Sequence, residues 1–213
     1  MTQAANIHTP SPTVFVVDDD EAVRKALARL LRSTGYPVRD FASAETFLSC
    51  WTEDPAPGCL LLDISMPGLD GLQLQQHLNG SDYTLPIVFI TGHGDIPSTV
   101  QALKAGAVDF LPKPVNEASL LKAVDEALGR DHRQRSERTE RDRLARRFQT
   151  LTPREREVMA LVVGGLANKQ IAAVLGASEK TIKIHRGRVM EKMQMHSVAD
   201  LVRAAQKLDI VAG

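Results

Sequence analysis

Apolar and polar positions in the first 128 residues alternate between two periods. Short, β-branched apolar runs fall at 14–18, 37–41, 59–63, 86–90 and 108–111, and each reads as a strand. Between them, apolar residues recur at helical spacing over about 21–33, 43–51, 70–79, 96–105 and 117–128. In the first helical segment Ala22, Val23, Ala26, Leu27, Leu30 and Leu31 form the expected buried stripe, with Asp20 placed to cap its start and Gly35 to end it. The run at 59–63 is almost continuously apolar, as expected of a strand covered on both faces. Five strand–helix units in succession predict an α/β doubly wound, flavodoxin-like sheet of five parallel strands. Residues 1–12 are polar, contain Pro10 and Pro12, and read as a disordered tail.

The pattern changes beyond Leu128. Residues 129–148 are highly charged, contain eight arginines, and offer only Gly129 against a helix. A solvated helical linker is the favoured reading, and a disordered tether is the alternative. From Leu151 the pattern is purely helical. Thr152 can cap a helix with Pro153 at its first position and Glu155 in the capping-box place. That helix runs to about Val163 and ends at Gly164-Gly165. Others cover Asn168–Leu175, Ser178–Met193 and about Ser197–Lys207. Helix, Gly176-Ala177 turn, helix is the outline of a helix-turn-helix. The expected organisation is therefore a first domain over 13–128, a linker over 129–148, and a small all-α domain over 149–213.

Composition narrows the classes. A chain of 213 residues suits two domains. Its two cysteines, Cys50 and Cys59, form no CxxC pair, which argues against a disulfide scaffold or a zinc finger and for free thiols in a reducing compartment. The N-terminal stretch lacks the basic and apolar regions of a signal peptide. No apolar run approaches the ~18 residues of a membrane span. The expectation is a soluble, cytoplasmic protein with no membrane partner. A net charge of zero hides an asymmetry: residues 1–129 hold 8 Lys+Arg against 16 Asp+Glu, a charge of −8, and residues 130–213 hold 18 against 10, a charge of +8. This suggests a nucleic-acid contact confined to the second half, with fortuitous surface charge as the plain alternative.

Candidate chemistry gathers at the strand ends. Asp18 and Asp19 close TVFVVDD, Asp63 closes CLLLD, Thr91 closes PIVFIT, and Lys113 follows VDFLPKP. In an open parallel sheet the carboxyl ends of the strands face one crevice. Three carboxylates there suit a hard divalent cation, Mg2+ or Mn2+. Asp63 can ligate the cation with one oxygen and attack a phosphoryl group with the other. Lys113 can pair with both Asp63 and a phosphoryl oxygen, Thr91 can donate to that oxygen, and Gly92 leaves room. An aspartate at a strand end is also an ordinary helix cap; four chemically matched strand ends are harder to explain that way.

The pieces VVDDD at 16–20, LLDISMPGLDG at 61–71, VFITGHGD at 88–95 and AGAVDFLPKP at 105–114 resemble the receiver domain of two-component response regulators. The resemblance implies that Asp63 is the phosphoacceptor for a sensor histidine kinase. It implies a metal site of Asp18, Asp19, Asp63 and the main-chain carbonyl of Ser65. It also implies a switch in which Thr91 and Phe110 move, with Lys113 as the partnering lysine. Phosphorylation adds roughly −1.5 to −2 charges, draws Thr91 and Lys113 inward, and frees space for the Phe110 ring. The face over 96–111, where Val100 and Lys104 are expected to point outward, would then support a homodimer. A plain core role for Phe110 is the alternative.

In the third C-terminal helix, SEKTIKIHRGRVMEKM, about 100° per residue places Ile182, Val189 and Met193 inward with Met190 at the edge. Lys180, Lys183, Ile184, Gly187 and Glu191 fall opposite. Lys183 is the candidate base contact, and Lys180, His185 and Arg188 are candidate phosphate contacts; Thr181 and Lys169 complete the DNA-binding set. Ile184 can meet a thymine methyl or be casually exposed. Arg186 projects near the apolar face, where an internal acid such as Glu155 is its expected partner. Residues 151–206 resemble the LuxR/FixJ-type DNA-binding module, through LTPREREVMALVVGGLANKQIAAVLGAS, TIKIHR and VMEKM. Gly187 departs from that pattern, where a longer side chain is common.

Receiver plus module resembles the FixJ/NarL group, leaning to FixJ-type. The implied function is a response regulator in which phosphorylation of Asp63 controls sequence-specific promoter binding, with RNA polymerase as a further partner. No enzymatic role is expected beyond self-phosphorylation and dephosphorylation at Asp63. Val198, Leu201 and Val202 on the fourth helix suit either a dimer surface or simple core packing. A haloacid-dehalogenase-type phosphatase is the competing reading, but it needs a second acid at Ser65 and a cap domain. A receiver-like regulator that never uses phosphate is the third. No Walker loop, GxGxxG or HExxH motif occurs.

Overall fold

The computed structural model describes residues 11–51, 56–79, 84–92, 100 and 102–210. The chain divides into two compact units, residues 1–134 and 135–213.

In the first unit, β1 (Thr13–Val17), β2 (Val38–Phe41), β3 (Gly58–Asp63), β4 (Ile87–Thr91) and β5 (Asp109–Pro112) form one sheet in the order β2-β1-β3-β4-β5. Every pair is parallel, with Val17 opposite Leu62 and Asp63 opposite Ile90. Chain direction across the sheet reverses between β1 and β3, which makes that gap the switch point where open α/β sheets bind ligands. Alternation of side chains sorts each strand onto two cores. Phe15, Val17, Leu60, Leu62, Ile87 and Phe89 pack on one face. Val14, Val16, Cys59, Leu61, Val88 and Ile90 pack on the other. Both faces are covered, so β3 and β4 are buried along their whole length.

The helices of this unit are α1 (Glu21–Ser33), α2 (Ala44–Cys50), α3 (Gly71–Asn79) and the start of α4 (Glu117–Gln149). Asp20 caps α1, accepting the Ala22 and Val23 N–H groups at 2.8 and 3.3 Å. Gly35, at φ +93°, takes the left-handed turn beyond its end. The expected stripe on α1 is corrected in part: Leu27, Ala28 and Leu31 are buried, whereas Ala22 and Ala26 are exposed. Ala28, not Ala26, is the buried alanine of this helix. Of the helix expected at 96–105, only residues 100 and 102–105 are described; 100 and 102–104 are helical, and 105 lies in the turn that follows. The tail expected over 1–12 lies almost wholly outside the described residues.

The helix α4 does not stop at 128. It runs 33 residues through the charged segment to Gln149, so the helical form of the linker holds and the tether does not. Three contacts hold its middle to the first unit. Asp131 Oδ2 accepts the Gly58 N–H at 3.1 Å, Arg130 donates to the Gly106 carbonyl at 3.1 Å, and Tyr36 donates its hydroxyl proton to Asp125. The Asp125 hydrogen bond, with burial, pushes the Tyr36 hydroxyl up to about 12.

The second unit contains α5 (Pro153–Val163), α6 (Asn168–Leu175), α7 (Glu179–Met193) and α8 (Val198–Lys207). Thr152 and Glu155 form the expected capping box on α5. Gly176, left-handed at φ +60°, turns α6 toward α7, and Ser178 caps α7 by accepting the Thr181 N–H at 3.1 Å. Val158, Ile171, Ile182, Val189, Met193 and Leu201 lie at the centre of its core. Leu201 is fully buried there and Val198 packs against it, so the stripe on α8 is largely core. No described helix is long and apolar enough to cross a membrane.

Candidate functional site

Ligand oxygens of Asp18, Asp19 and Asp63 come within 4.8 Å of one another at the switch point. Asp18 and Asp63 are buried and Asp19 is exposed, so the cluster opens to solvent on one side. β1 delivers Asp18 one residue beyond Val17, level with Asp63 at the end of β3. Lys113, just after β5, places its ammonium 2.8 Å from Asp18 Oδ2 and 2.9 Å from Asp63 Oδ2. The Lys113 N–H donates to the Thr91 carbonyl at 2.7 Å, which ties that lysine to the end of β4. Thr91 itself is buried, and the place of a Cβ on Gly92 is open space. Ser65 is exposed beside Asp63, and its N–H lies 3.4 Å from Asp63 Oδ1.

Electrostatics explain the lysine. Burial pushes the Asp18 carboxyl above its ordinary value, against the opposing pull of the Lys113 ammonium and the Asp20 N–H. Burial pulls Lys113 down, but the Asp18 and Asp63 carboxylates more than reverse this and hold it protonated. Three carboxylates therefore face one ammonium. Asp18 Oδ2 is buried, and its partner is the Lys113 ammonium at 2.8 Å. A hard, all-oxygen donor set with surplus negative charge fits a divalent cation such as Mg2+.

The remaining candidates fall as follows. Phe110 is half-buried against the core cluster beside Phe89. Val100 and Leu103 are 42% and 46% exposed, and Lys104 is exposed. The rest of the 96–111 face falls partly outside the described residues, as does His93. On α7, Ile182, Val189 and Met193 are buried as expected. Lys180, Thr181, Lys183, Arg188 and, on α6, Lys169 are exposed. Ile184 is 50% exposed, and nothing lies within 4 Å of a Cβ placed on Gly187. His185 is half-buried with its Nδ1 enclosed.

One expectation is corrected. Arg186 does not bridge to Glu155; it donates to Asn168 Oδ1 at 3.0 Å. Glu155 instead pairs with Lys192 at 2.6 Å, because Lys192 lies further along α7, beside the N-terminus of α5. Sequence reasoning also passed over Arg24 and Glu45. Arg24 donates to the Asp18 carbonyl and Glu45 accepts the Leu69 N–H. Both act on main chain, and a residue pattern carries no signal for that.

A parallel sheet with an acidic switch point, followed by a helix-turn-helix unit, defines a receiver joined to a DNA-binding domain. Residues 14–125 match the response regulator receiver domain family, and residues 149–205 match the LuxR family of bacterial regulatory proteins. The chain belongs to the two-component response regulators of the FixJ/NarL group, on the FixJ side. It is 49% identical to Nodulation protein W of Bradyrhizobium diazoefficiens, over 96% of this chain and 91% of that one. It is 43% identical to the transcriptional regulatory protein FixJ of Azorhizobium caulinodans, over 90% of each. Among solved structures, response regulator StyR aligns with a TM-score of 0.81 at 48% identity, over 93% of this chain and all of that one. Full-length FixJ from B. japonicum aligns at 0.57 and 38%, over 95% of this chain and all of that one. Membership in this group displaces the phosphatase reading.

Proposed function

We propose that Asp63 is the phosphoacceptor of this response regulator and that its phosphorylation controls promoter binding by the LuxR-type domain. The convergence of Asp18, Asp19 and Asp63 around Lys113 carries the reading. Asp18, Asp19, Asp63 and the Ser65 carbonyl would hold Mg2+ or Mn2+. When bound, that cation neutralises charge that would otherwise repel an incoming phosphoryl group. The Asp63 carboxylate forms a bond to phosphorus as the bond between phosphorus and the kinase histidine nitrogen breaks. Lys113 pairs with the transferred group, and Thr91 donates its hydroxyl to it. The same movement of Thr91 makes room for Phe110, so the switch is a shift between two populations of the 96–111 face. Exposed Val100 and Leu103 support pairing of two copies through that face.

In this reading residues 13–128 are the phosphoacceptor domain, 129–148 the linker and 149–213 the DNA-binding domain, acting in the cytoplasm. Lys183 and Ile184 meet base edges. Lys169, Lys180, Thr181, His185 and Arg188 face phosphates, and RNA polymerase is the downstream partner. Operator DNA titrated with the full-length chain, with and without acetyl phosphate and Mg2+, tests the coupling. Treatment is expected to tighten binding by the wild type and to leave Asp63→Asn unchanged. Equal response of the two would defeat the proposal.

A further inference from the structure

Two loops at the carboxyl end of the sheet bear the candidate cation ligands. One carries Asp18 and Asp19; the other, over 64–70, carries Ser65 next to Asp63. Each loop is gripped through its backbone by a charged side chain from a neighbouring helix. Arg24 of α1 donates from Nη1 to the Asp18 carbonyl at 2.8 Å and lies 3.5 Å from the Asp19 carbonyl. Its Nε stands 3.7 Å from Asp40 Oδ2 in β2, and the side chain is only 13% exposed. Glu45 of α2 accepts the Leu69 N–H at 3.0 Å. Its Oε1 sits 2.7 Å from where a Cβ on Gly68 would stand, and Gly68 has φ +78°. That position therefore suits glycine twice over: its φ is strained for other residues, and the carboxylate occupies the space.

We propose that Arg24 and Glu45 are positioning residues that set the spacing of the two ligand-bearing loops before a divalent cation arrives. The inference rests on the cation-site reading of the crevice given above. Neither side chain offers an oxygen to the cluster of Asp18, Asp19 and Asp63; both act from behind it. Charge alone leads to the opposite outcome at Arg24: removing a cation from beside a cation site strengthens Mg2+ binding. Positioning requires that its removal weakens binding, because the carbonyls of Asp18 and Asp19 lose their tie. At Glu45 the two accounts separate through glutamine. Glutamine loses the charge but keeps an acceptor oxygen for the Leu69 N–H, and alanine loses both.

The test is calorimetric titration of Mg2+ into the full-length, unphosphorylated chain, paired with thermal unfolding of the cation-free protein followed through Trp51. Residues that hold metal ligands from behind typically account for 10–100-fold in affinity. Arg24→Met and Glu45→Ala are expected near the lower end, about tenfold weaker. Glu45→Gln is expected to bind like the wild type, and Arg24→Lys, which keeps one donor point, to fall between. Tighter or unchanged binding by Arg24→Met overturns the proposal, and so does equal weakening by Glu45→Gln and Glu45→Ala. A lowered cation-free unfolding temperature with an unchanged dissociation constant marks a structural role and overturns it too. If the wild type itself binds no Mg2+, the cation-site reading falls and takes this inference with it; wild-type binding with unaffected variants removes the inference alone.

Discussion

Replacing Lys192 by methionine is expected to destabilise the second unit by about 2 kcal/mol. Glu155 is 2% exposed on its side chain, and Lys192, 34% exposed, is the only cation paired with it among the described residues. Its Oε2 accepts from Lys192 Nζ at 2.6 Å and from the Thr152 N–H at 2.9 Å. Methionine matches the lysine stem but leaves the carboxylate with the Thr152 donor and the α5 N-terminus. Breaking a fully buried pair costs about 3–5 kcal/mol. Partial exposure of Lys192 and the favourable helix terminus reduce that to about 2. For a unit of residues 135–213, that loss lowers the unfolding temperature by about 10 °C.

Trp51 and both tyrosines lie in the first unit, so their fluorescence reports on that unit alone. Hydrogen exchange over 153–207 reports on the second. Lys192→Met should shift the second set of signals and leave the first in place. Adding Glu155→Gln should restore much of the loss, since a neutral amide is cheaper to leave unpaired. The pH profile has a defined sign. The Lys192 hydrogen bond, then the Thr152 contacts, outweigh burial and hold the Glu155 carboxyl below its ordinary value of 4.5. The resulting stability is present above that value and is lost as pH falls through the depressed folded value. Lys192→Met should flatten this acid dependence. An unfolding temperature unmoved by the substitution, with the acid limb intact, would refute the reasoning.

Three further outcomes are expected. Gly71→Ala places a Cβ 2.3 Å from the Asp63 carbonyl oxygen and 2.9 Å from Ile64 Cα. Main chain cannot yield cheaply there, so the first unit should lose about 3 kcal/mol in urea unfolding followed by Trp51; unchanged stability would show that the loop after Asp63 is slack. Asp131→Ala strands the buried Gly58 N–H and should cost the first unit about 2 kcal/mol, with Asp131→Asn losing less. In footprinting across a salt series, Lys183→Ala should relax sequence preference. Arg188→Ala should weaken all DNA alike and reduce the salt slope by about one; identical behaviour would reverse the two assignments.

What the sequence conveys depends on how each feature is encoded. Strand ends and their chemistry were legible because period-two runs stop where the chain reaches the crevice, so Asp18, Asp63 and Thr91 are marked by position as well as type. The inward face of α7 was equally legible from periodicity. Arg186 was misassigned because angular projection gives a direction but no height along the axis, and Lys192 lies at the height of Glu155. Ala26 and Ala28 were exchanged because small residues carry little periodic signal. Continuation of α4 through Gly129 was the open choice: that glycine costs about 1 kcal/mol, and its neighbours Arg130 and Asp131 offset it through contacts with distant carbonyl and N–H groups. Arg24 and Glu45 belong to the same class, since both bind backbone, which every residue type presents alike.

Intact-mass measurement after incubation with Mg2+ and acetyl phosphate bears most directly on Asp63. Wild-type chain should gain one phosphoryl group, lose it again in mild base or hydroxylamine as an acyl phosphate does, and show none in the Asp63→Asn variant. An unmodified wild type, or equal gain by both proteins, would contradict the assignment of that carboxylate as the acceptor.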